Sequence, residues 1–101
     1  MIDLALVVGF DWDKGNQRKS NDKHGVTQVE AEEIFFNTPL LLSVDGKHSQ
    51  QEHRFLALGR TNKGRLLTVI FTLREDDTLI RVISARDQHR KERVVYDQAS
   101  S

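Results

Sequence analysis

The chain has 101 residues, too few for a multidomain enzyme, a TIM barrel or a complete dinucleotide-binding fold. Hydrophobic residues make up 38% and charged residues 30%, which suits one small core beneath a charged surface, so we expect a single domain over residues 1–101. The chain has no cysteine, which excludes disulfides, a thiol nucleophile and a cysteine-based zinc site, and its formal net charge is zero.

The first ten residues are apolar, but they lack the basic segment and the small-residue cleavage site of a secretory signal. No apolar stretch of the sequence reaches transmembrane length. The sequence therefore predicts a cytoplasmic protein that makes no membrane contact.

The first half of the chain predicts a strand followed by two helices. Residues 4–12 are rich in β-branched and aromatic side chains and suit a strand. Asp13 can cap a helix that runs to about residue 23, and Gly25 fits the left-handed conformation at its end. Thr27 begins a Thr-Gln-Val-Glu capping box for a second helix, which ends before the only proline.

The second half changes to the two-residue period of strands. Apolar or alternating runs predict four strands, at residues 40–44, 54–60, 65–73 and 78–85. The last three are joined by short turns and are therefore antiparallel. A helix start at residues 84–87 predicts a final helix to about Tyr96, with residues 98–101 loose. This order predicts an α+β fold in which helices pack on an antiparallel sheet.

Positive charge is unevenly distributed along this neutral chain. Five cationic residues and no acidic residue lie between positions 54 and 74, and five more cationic residues lie between positions 81 and 93. One basic face could therefore bind phosphate groups. From charge alone, a solvated surface is the simpler explanation.

Two clusters elsewhere carry reactive side chains. Lys23 and His24 precede Gly25 at the predicted helix end, where they could meet a phosphate or merely cap the helix. One loop holds Asp45, His48, Glu52 and His53. Such side chains can bind a metal, but no helix fixes their geometry and no standard motif matches, so we expect no cofactor. Glu52 and Arg54 would share a strand face because they are two residues apart.

The C-terminal segment combines arginines with the only tyrosine. Alternation predicts that Arg81, Ile83 and Ala85 share one side of the last strand, and that Arg86 begins the next segment. Arginine suits forked contacts to phosphate. Tyr96 would lie near the same side of the final helix as Arg86, or would pack at the edge of the core.

Several motifs, in order, resemble the BrnT toxin family over residues 10–96. Because they are separate and correctly ordered, the resemblance is specific, whereas Lys-His-Gly-Val alone would not be. The motifs are Phe10-Asp11-Trp12-Asp13-Lys14-Gly15-Asn16, Lys23-His24-Gly25-Val26, Glu32-Glu33-Ile34-Phe35-Phe36, His48-Ser49, Glu52 with Arg54-Phe55, Ala57-Leu58-Gly59-Arg60-Thr61, Gly64-Arg65, Ile80-Arg81-Val82-Ile83-Ser84-Ala85-Arg86-Asp87, Arg90-Lys91-Glu92-Arg93 and Tyr96.

The resemblance implies a RelE/ParE-like fold and a type II toxin that cleaves RNA and halts translation. It also implies a small BrnA-like antitoxin as partner, with which a higher-order toxin–antitoxin complex could form. RNA supplies its own nucleophile in the 2′-hydroxyl, so a ribonuclease without a metal needs a base, cations around the phosphorane and an acid for the leaving oxygen.

On this scheme, three arginines are predicted to contact the phosphate: Arg54, Arg81 and Arg86. The candidates for base or electrostatic roles are Lys23 and His24, and Glu52 would either orient Arg54 or accept a proton. Tyr96 is the candidate for donation to the leaving group or for stacking on a base. Four further arginines are predicted to bind RNA: Arg60, Arg65, Arg90 and Arg93.

Two other functions fit the sequence. One is a non-catalytic binding module of the same fold that docks a protein or nucleic acid, which the neutral charge favours because RelE-like toxins are typically basic. The other is a metal-dependent enzyme that uses His48 and His53.

Overall fold

The computed structural model describes residues 4–45 and 53–100. The strands are β1 (Gly9–Phe10), β2 (Leu41–Val44), β3 (Phe55–Arg60), β4 (Leu66–Arg74) and β5 (Leu79–Asp87). The helices are α1 (Lys14–His24), α2 (Gln28–Glu33) and α3 (Arg90–Ser100), and short 3-10 turns lie at Leu4–Leu6 and Ile34–Phe36. Within these described ranges, no helix has the length and apolarity needed to cross a bilayer.

The strands form one sheet in the order β1-β5-β4-β3-β2. Strands β2 to β5 form an antiparallel meander, and β1 pairs with β5 in parallel. A β-bulge interrupts the pairing of β4 with β5, because Ile70 pairs with Ser84 and Phe71 with Val82, which leaves Ile83 as the extra residue. The predicted α+β class and element order are confirmed.

One face of the sheet carries the core. Ala57, Val69 and Ala85 form a row across β3, β4 and β5, and all three are fully buried. Helix α2 and the 3-10 turn after it cover this face, with Ile34 in the same buried cluster. Gly59 allows this approach, because a Cβ atom at that position would lie 2.8 Å from the Cβ of Ile34.

Helix α1 lies along the part of β5 that β1 does not cover. The Nδ2 of Asn16 donates to the carbonyl of Val82 at 3.0 Å, and the backbone N–H of Ala85 donates to the Ser20 hydroxyl at 2.8 Å. Both polar side chains are buried and satisfy backbone groups at the strand edge. The two contacts also show that α1 and β5 run in the same direction.

Helix α3 covers part of the face opposite the core. Tyr96 is 2% exposed, and its hydroxyl donates to the carbonyl of Pro39 at 2.7 Å. The Thr68 hydroxyl on β4 donates to Oε1 of Glu92 at 2.8 Å. Gln88, between β5 and α3, donates to the carbonyl of Leu67 at 3.1 Å. Beyond α3, the described part of this face carries an open groove.

The local signals at the helix ends are confirmed. Asp13 caps α1, and Thr27 and Glu30 form the predicted capping box of α2. Gly25 follows α1 with a φ of 65°, in the left-handed conformation that favours glycine.

Three predicted boundaries are wrong. The first strand spans Gly9–Phe10 rather than residues 4–12, because the chain leaves the sheet so that Asp13 can cap α1. The last strand continues through residues 84–87, where the sequence predicts a helix start, because these residues pair with residues 67–70 of β4. Helix α3 therefore begins at Arg90, and it runs to Ser100 through residues predicted to be loose.

The bulge also changes which β5 residues share a face. Arg81, Ser84 and Arg86 lie on the open face, whereas Ala85 is buried on the core face. The prediction that Arg81, Ile83 and Ala85 share one side is wrong, because strict alternation ignores the extra residue at the bulge.

Candidate active site

An open groove of about 550 Å³ lies on the sheet face opposite the core. Among the residues that the structure describes, its lining combines three cations and one carboxylate with an aliphatic floor. The cations are Lys19, Arg54 and Arg86, the carboxylate is Asp45, and the floor comprises Leu56, Ile70 and Ile83. A cationic majority around an apolar floor suits an anionic ligand that also carries a flat or apolar part.

Three adjacent strands build the groove. Leu56 pairs with Ile70 and Ile70 with Ser84, so these side chains form one row across β3, β4 and β5. Arg54 lies two residues before Leu56, and Arg86 lies two residues after Ser84. Because β3 and β5 run in the same direction, the two arginines stand at opposite corners of the groove.

Arg86 is held by a carboxylate of α3. Its Nη1 and Nη2 atoms donate to Oε1 and Oε2 of Glu92 at 2.8 and 3.0 Å. Glu92 also accepts the Thr68 hydroxyl at 2.8 Å and the backbone N–H of His89 at 2.7 Å. Burial alone would raise the pKa of Glu92, but these hydrogen bonds outweigh burial and lower the pKa to about 2. Glu92 is therefore ionised at neutral pH.

Arg54 lies at the other corner, next to Asp45. The backbone N–H of Asp45 donates to the carbonyl of Arg54 at 2.8 Å, which joins the end of β2 to the start of β3. Asp45 is a member of the predicted metal cluster, and two other members, His48 and Glu52, lie outside the described residues. Across residues 4–45 and 53–100, no group of three histidine, aspartate or glutamate side chains could hold a metal ion.

Lys19 is the groove residue that the sequence analysis missed. It projects from α1 into the groove because Ser20 faces β5 and fixes the helix against that strand. Lys23 lies four residues later, on the same face of α1 and further along β5. The four-residue spacing of these lysines is a signal in the sequence, but its meaning depends on knowing that α1 lies beside β5.

Arg81 binds acidic residues of the fold and does not line the groove. Its Nη2 lies 2.9 Å from Oδ2 of Asp13, and its Nη1 lies 3.5 Å from Oδ2 of Asp11. Hydrogen bonds from the backbone of Asn16 and from Arg81 hold the pKa of Asp13 below its usual range. Arg81 therefore fixes the start of α1.

Arg65 likewise connects elements of the fold. Its Nε and Nη2 donate to the two carboxylate oxygens of Asp87 at 2.8 and 3.2 Å, and Nη1 donates to Glu30 at 3.2 Å. The remaining donors reach the carbonyls of Gly25 at 3.0 Å and His24 at 3.4 Å. Arg65 lowers the pKa of Asp87, while the Thr27 backbone and then Arg65 lower that of Glu30.

The other predicted residues lie elsewhere. Tyr96 is buried, which raises the pKa of its hydroxyl, and that hydroxyl already donates to Pro39. His24 is half-buried at the end of α1, beside Arg65. Three arginines are exposed but do not line the groove: Arg60, Arg90 and Arg93.

A protein family and a solved structure that match this chain are both described as BrnT ribonuclease toxins. The family described as "Ribonuclease toxin, BrnT, of type II toxin-antitoxin system" matches residues 12–92. The fold is similar to that in the 1.1 Å crystal structure of the Brucella abortus ribonuclease toxin BrnT, with a TM-score of 0.60 and 22% sequence identity. That similarity covers 83% of this chain and 100% of the Brucella chain. No curated protein matches the sequence.

Proposed function

Because the chain belongs to the BrnT family of ribonuclease toxins of type II toxin–antitoxin systems, we propose that it cleaves RNA in the open groove of the sheet. The observation that carries this proposal is the convergence of Lys19, Arg54 and Arg86 on one groove, in which Asp45 is the single carboxylate among the described lining residues. A phosphodiester is the anion that such a set of cations suits.

The proposed reaction uses the RNA as its own nucleophile. The ribose 2′-hydroxyl attacks the adjacent phosphorus, the P–O5′ bond breaks, and the products carry a 2′,3′-cyclic phosphate and a 5′-hydroxyl. Arg54 and Arg86 contact the phosphate and stabilise the charge of the phosphorane. Lys19 and Lys23 contact neighbouring phosphates, and Leu56 and Ile70 contact a ribose or base.

The proton acceptor belongs to the set Lys23, His24 and Glu52. Lys23 lies one helical turn after the groove residue Lys19 on α1, whereas Glu52 lies two residues before Arg54 and outside the described residues. Tyr96 does not supply the leaving-group proton in this proposal, because its hydroxyl is buried and donates to the carbonyl of Pro39. Arg65 and Arg81 serve the fold in this proposal rather than RNA binding.

A type II toxin implies an antitoxin protein as partner. We propose that this partner is a small BrnA-like protein, that it blocks access to the groove within a higher-order complex, and that both act in the cytoplasm, where the RNA substrate is translated.

The test is RNA cleavage by purified Arg54→Ala and Arg86→Ala proteins, together with growth after their induction. Each substitution should lower the cleavage rate about 10²- to 10³-fold, as loss of an oriented donor to a transition state does, and should relieve growth arrest. Lys63→Ala is the control, because it removes one positive charge from the exposed β3–β4 turn. Wild-type cleavage by both arginine variants would contradict the proposal, and RNA binding without cleavage by the wild type would favour a binding module.

A further inference from the structure

Arg86 has two N–H groups that the described part of the fold does not use. Its Nη1 donates to Oε1 of Glu92 and, at 3.2 Å, to the carbonyl of Asp87, while its Nη2 donates once, to Oε2 of Glu92. Among the described residues, neither Nε nor the second Nη2 hydrogen makes a hydrogen bond. These two donors form one edge of the planar guanidinium group, and an edge of this kind can bind two oxygens of one phosphate.

Glu92 is itself fixed from two directions. The Thr68 hydroxyl reaches it from β4 at 2.8 Å, and the backbone N–H of His89, just before α3, reaches it at 2.7 Å. Its side chain is 19% exposed, so water competes little for the carboxylate. The sheet and the start of α3 therefore fix the position of the Glu92 carboxylate. Glu92 in turn fixes the orientation of the Arg86 guanidinium through its two hydrogen bonds.

We propose that Glu92 is a positioning residue of the ribonuclease: it clamps one end of the Arg86 guanidinium so that the Nε–Nη2 edge is presented to the phosphodiester in the groove. This inference rests on the proposed function, since it assumes that Arg86 contacts the phosphate. Glu92 does not touch the substrate, and its effect passes entirely through Arg86.

The clamp matters because arginine is long and flexible. A free side chain in an open groove samples many rotamers and must lose that freedom when it binds the phosphorane. A guanidinium that is already oriented avoids this loss, and small misplacements of a catalytic contact are expensive in rate. Glu92 also partly offsets the positive charge of Arg86, so its benefit has to lie in orientation rather than in charge.

The experiment compares Glu92→Gln with the wild type in single-turnover cleavage of a single-stranded RNA. Glutamine keeps the size of the side chain and can still accept from His89 and Thr68, but it loses the two-oxygen grip on Arg86. We expect the cleavage rate constant to fall on the order of 10²-fold with a smaller change in RNA affinity. Glu92→Asp, which retains the carboxylate, should recover part of the rate.

Two further variants separate positioning from folding. Glu30→Gln is the matched control, because Glu30 also joins an arginine to a helix start but lies away from the groove; its cleavage rate should stay within about twofold of wild type. Thr68→Val loosens Glu92 without altering Arg86, and it should lower the rate less than Glu92→Gln does. Thermal unfolding of each variant confirms that it is folded at the assay temperature.

The decisive measurement is the double variant. If Glu92 acts through Arg86, adding Glu92→Gln to Arg86→Ala changes the cleavage rate by less than about twofold. The inference is overturned if the loss persists in that background, or if Glu92→Gln cleaves like the wild type while Arg86→Ala does not. Wild-type cleavage by Arg86→Ala would instead contradict the proposed function itself.

Discussion

Arg65 and Arg86 are built into the molecule in similar ways and yet leave different chemistry available. Each is held by a glutamate that also accepts the backbone N–H three residues before it, Glu30 from Thr27 and Glu92 from His89. The exposed fractions of the two arginine side chains, 30% and 24%, do not separate them.

The use of their donors does separate them. The five N–H groups of Arg65 are matched by acceptors on two carboxylates and two carbonyls, whereas Arg86 uses three of its five in contacts with residues 4–45 and 53–100. An arginine whose donors are all used within the fold cannot bind RNA without breaking contacts that hold the helices together. The count of uncommitted donors, rather than exposure or charge, therefore distinguishes a site arginine from a structural one.

Replacing Arg86 by lysine should have a larger effect than the same replacement at Arg65, and that effect should be on catalysis. Lysine keeps the charge but has no planar edge with two parallel donors, so Arg86→Lys should lower the RNA cleavage rate about 10²-fold. Cleavage of a labelled single-stranded RNA under single-turnover conditions measures this. If lysine supports wild-type cleavage, the fork geometry of Arg86 has no catalytic role.

The same replacement at Arg65 should affect stability instead. Arg65→Lys loses the paired contacts to Asp87 and the carbonyl contacts at the end of α1, which should cost about 1–2 kcal/mol of unfolding free energy because Asp87 is largely exposed. Urea unfolding measures the loss, and the cleavage rate of the folded variant should match the wild type. A variant of normal stability that cleaves poorly would place Arg65 in the RNA-binding site after all.

Local signals in the sequence predicted much of the fold. The capping residues Asp13 and Thr27 and the left-handed Gly25 act within a few residues of their own positions, and all three are confirmed. The bulge at Ile83 depends on how β5 pairs with β4, which single-strand alternation cannot show. Because Ile83 is an extra residue, the side chains after it lie on the opposite faces from those that alternation predicts. The pairing with β4 also continues β5 to Asp87, where the sequence predicts a helix start.

The site was only partly predictable for a related reason. Residue type marked Arg54 and Arg86 as phosphate contacts, and both line the groove. By the same reasoning the sequence predicted that Arg65 and Arg81 contact RNA. Residue type alone could not show that acidic residues distant in sequence already bind these two arginines. Lys19 was missed because its position depends on the placement of α1 beside β5.

Acid should weaken the Glu92 anchor through a defined pH range. The pKa of Glu92 is about 2 in the folded chain, below the ordinary value of 4.5, so its contribution to stability is complete above about pH 4.5 and is lost as the pH falls toward 2. Glu92→Gln removes this titration. The variant should therefore lose less unfolding free energy than the wild type between about pH 5 and pH 3, as measured by urea unfolding.

Glu30→Gln provides the comparison, because the pKa of Glu30 is lowered as well, first by the Thr27 backbone N–H and then by Arg65. It should also flatten the acid loss of stability, but it should leave the pH dependence of RNA cleavage unchanged. An acid profile identical to the wild type in Glu92→Gln would mean that Glu92 is not held as an ionised anchor.

The smallest expected effect concerns Lys19, which offers a single charge at the groove rim without a fork. An uncleavable 2′-O-methyl RNA isolates binding from chemistry, because the 2′-oxygen can no longer attack. If Lys19 contacts one phosphate, Lys19→Ala should reduce the slope of log affinity against log salt concentration by about 0.7, the value for one contact to a single strand. Lys63→Ala should leave the slope unchanged. Equal slopes for the wild type and Lys19→Ala would mean that Lys19 contacts no phosphate and that Arg54 and Arg86 bind the RNA without it.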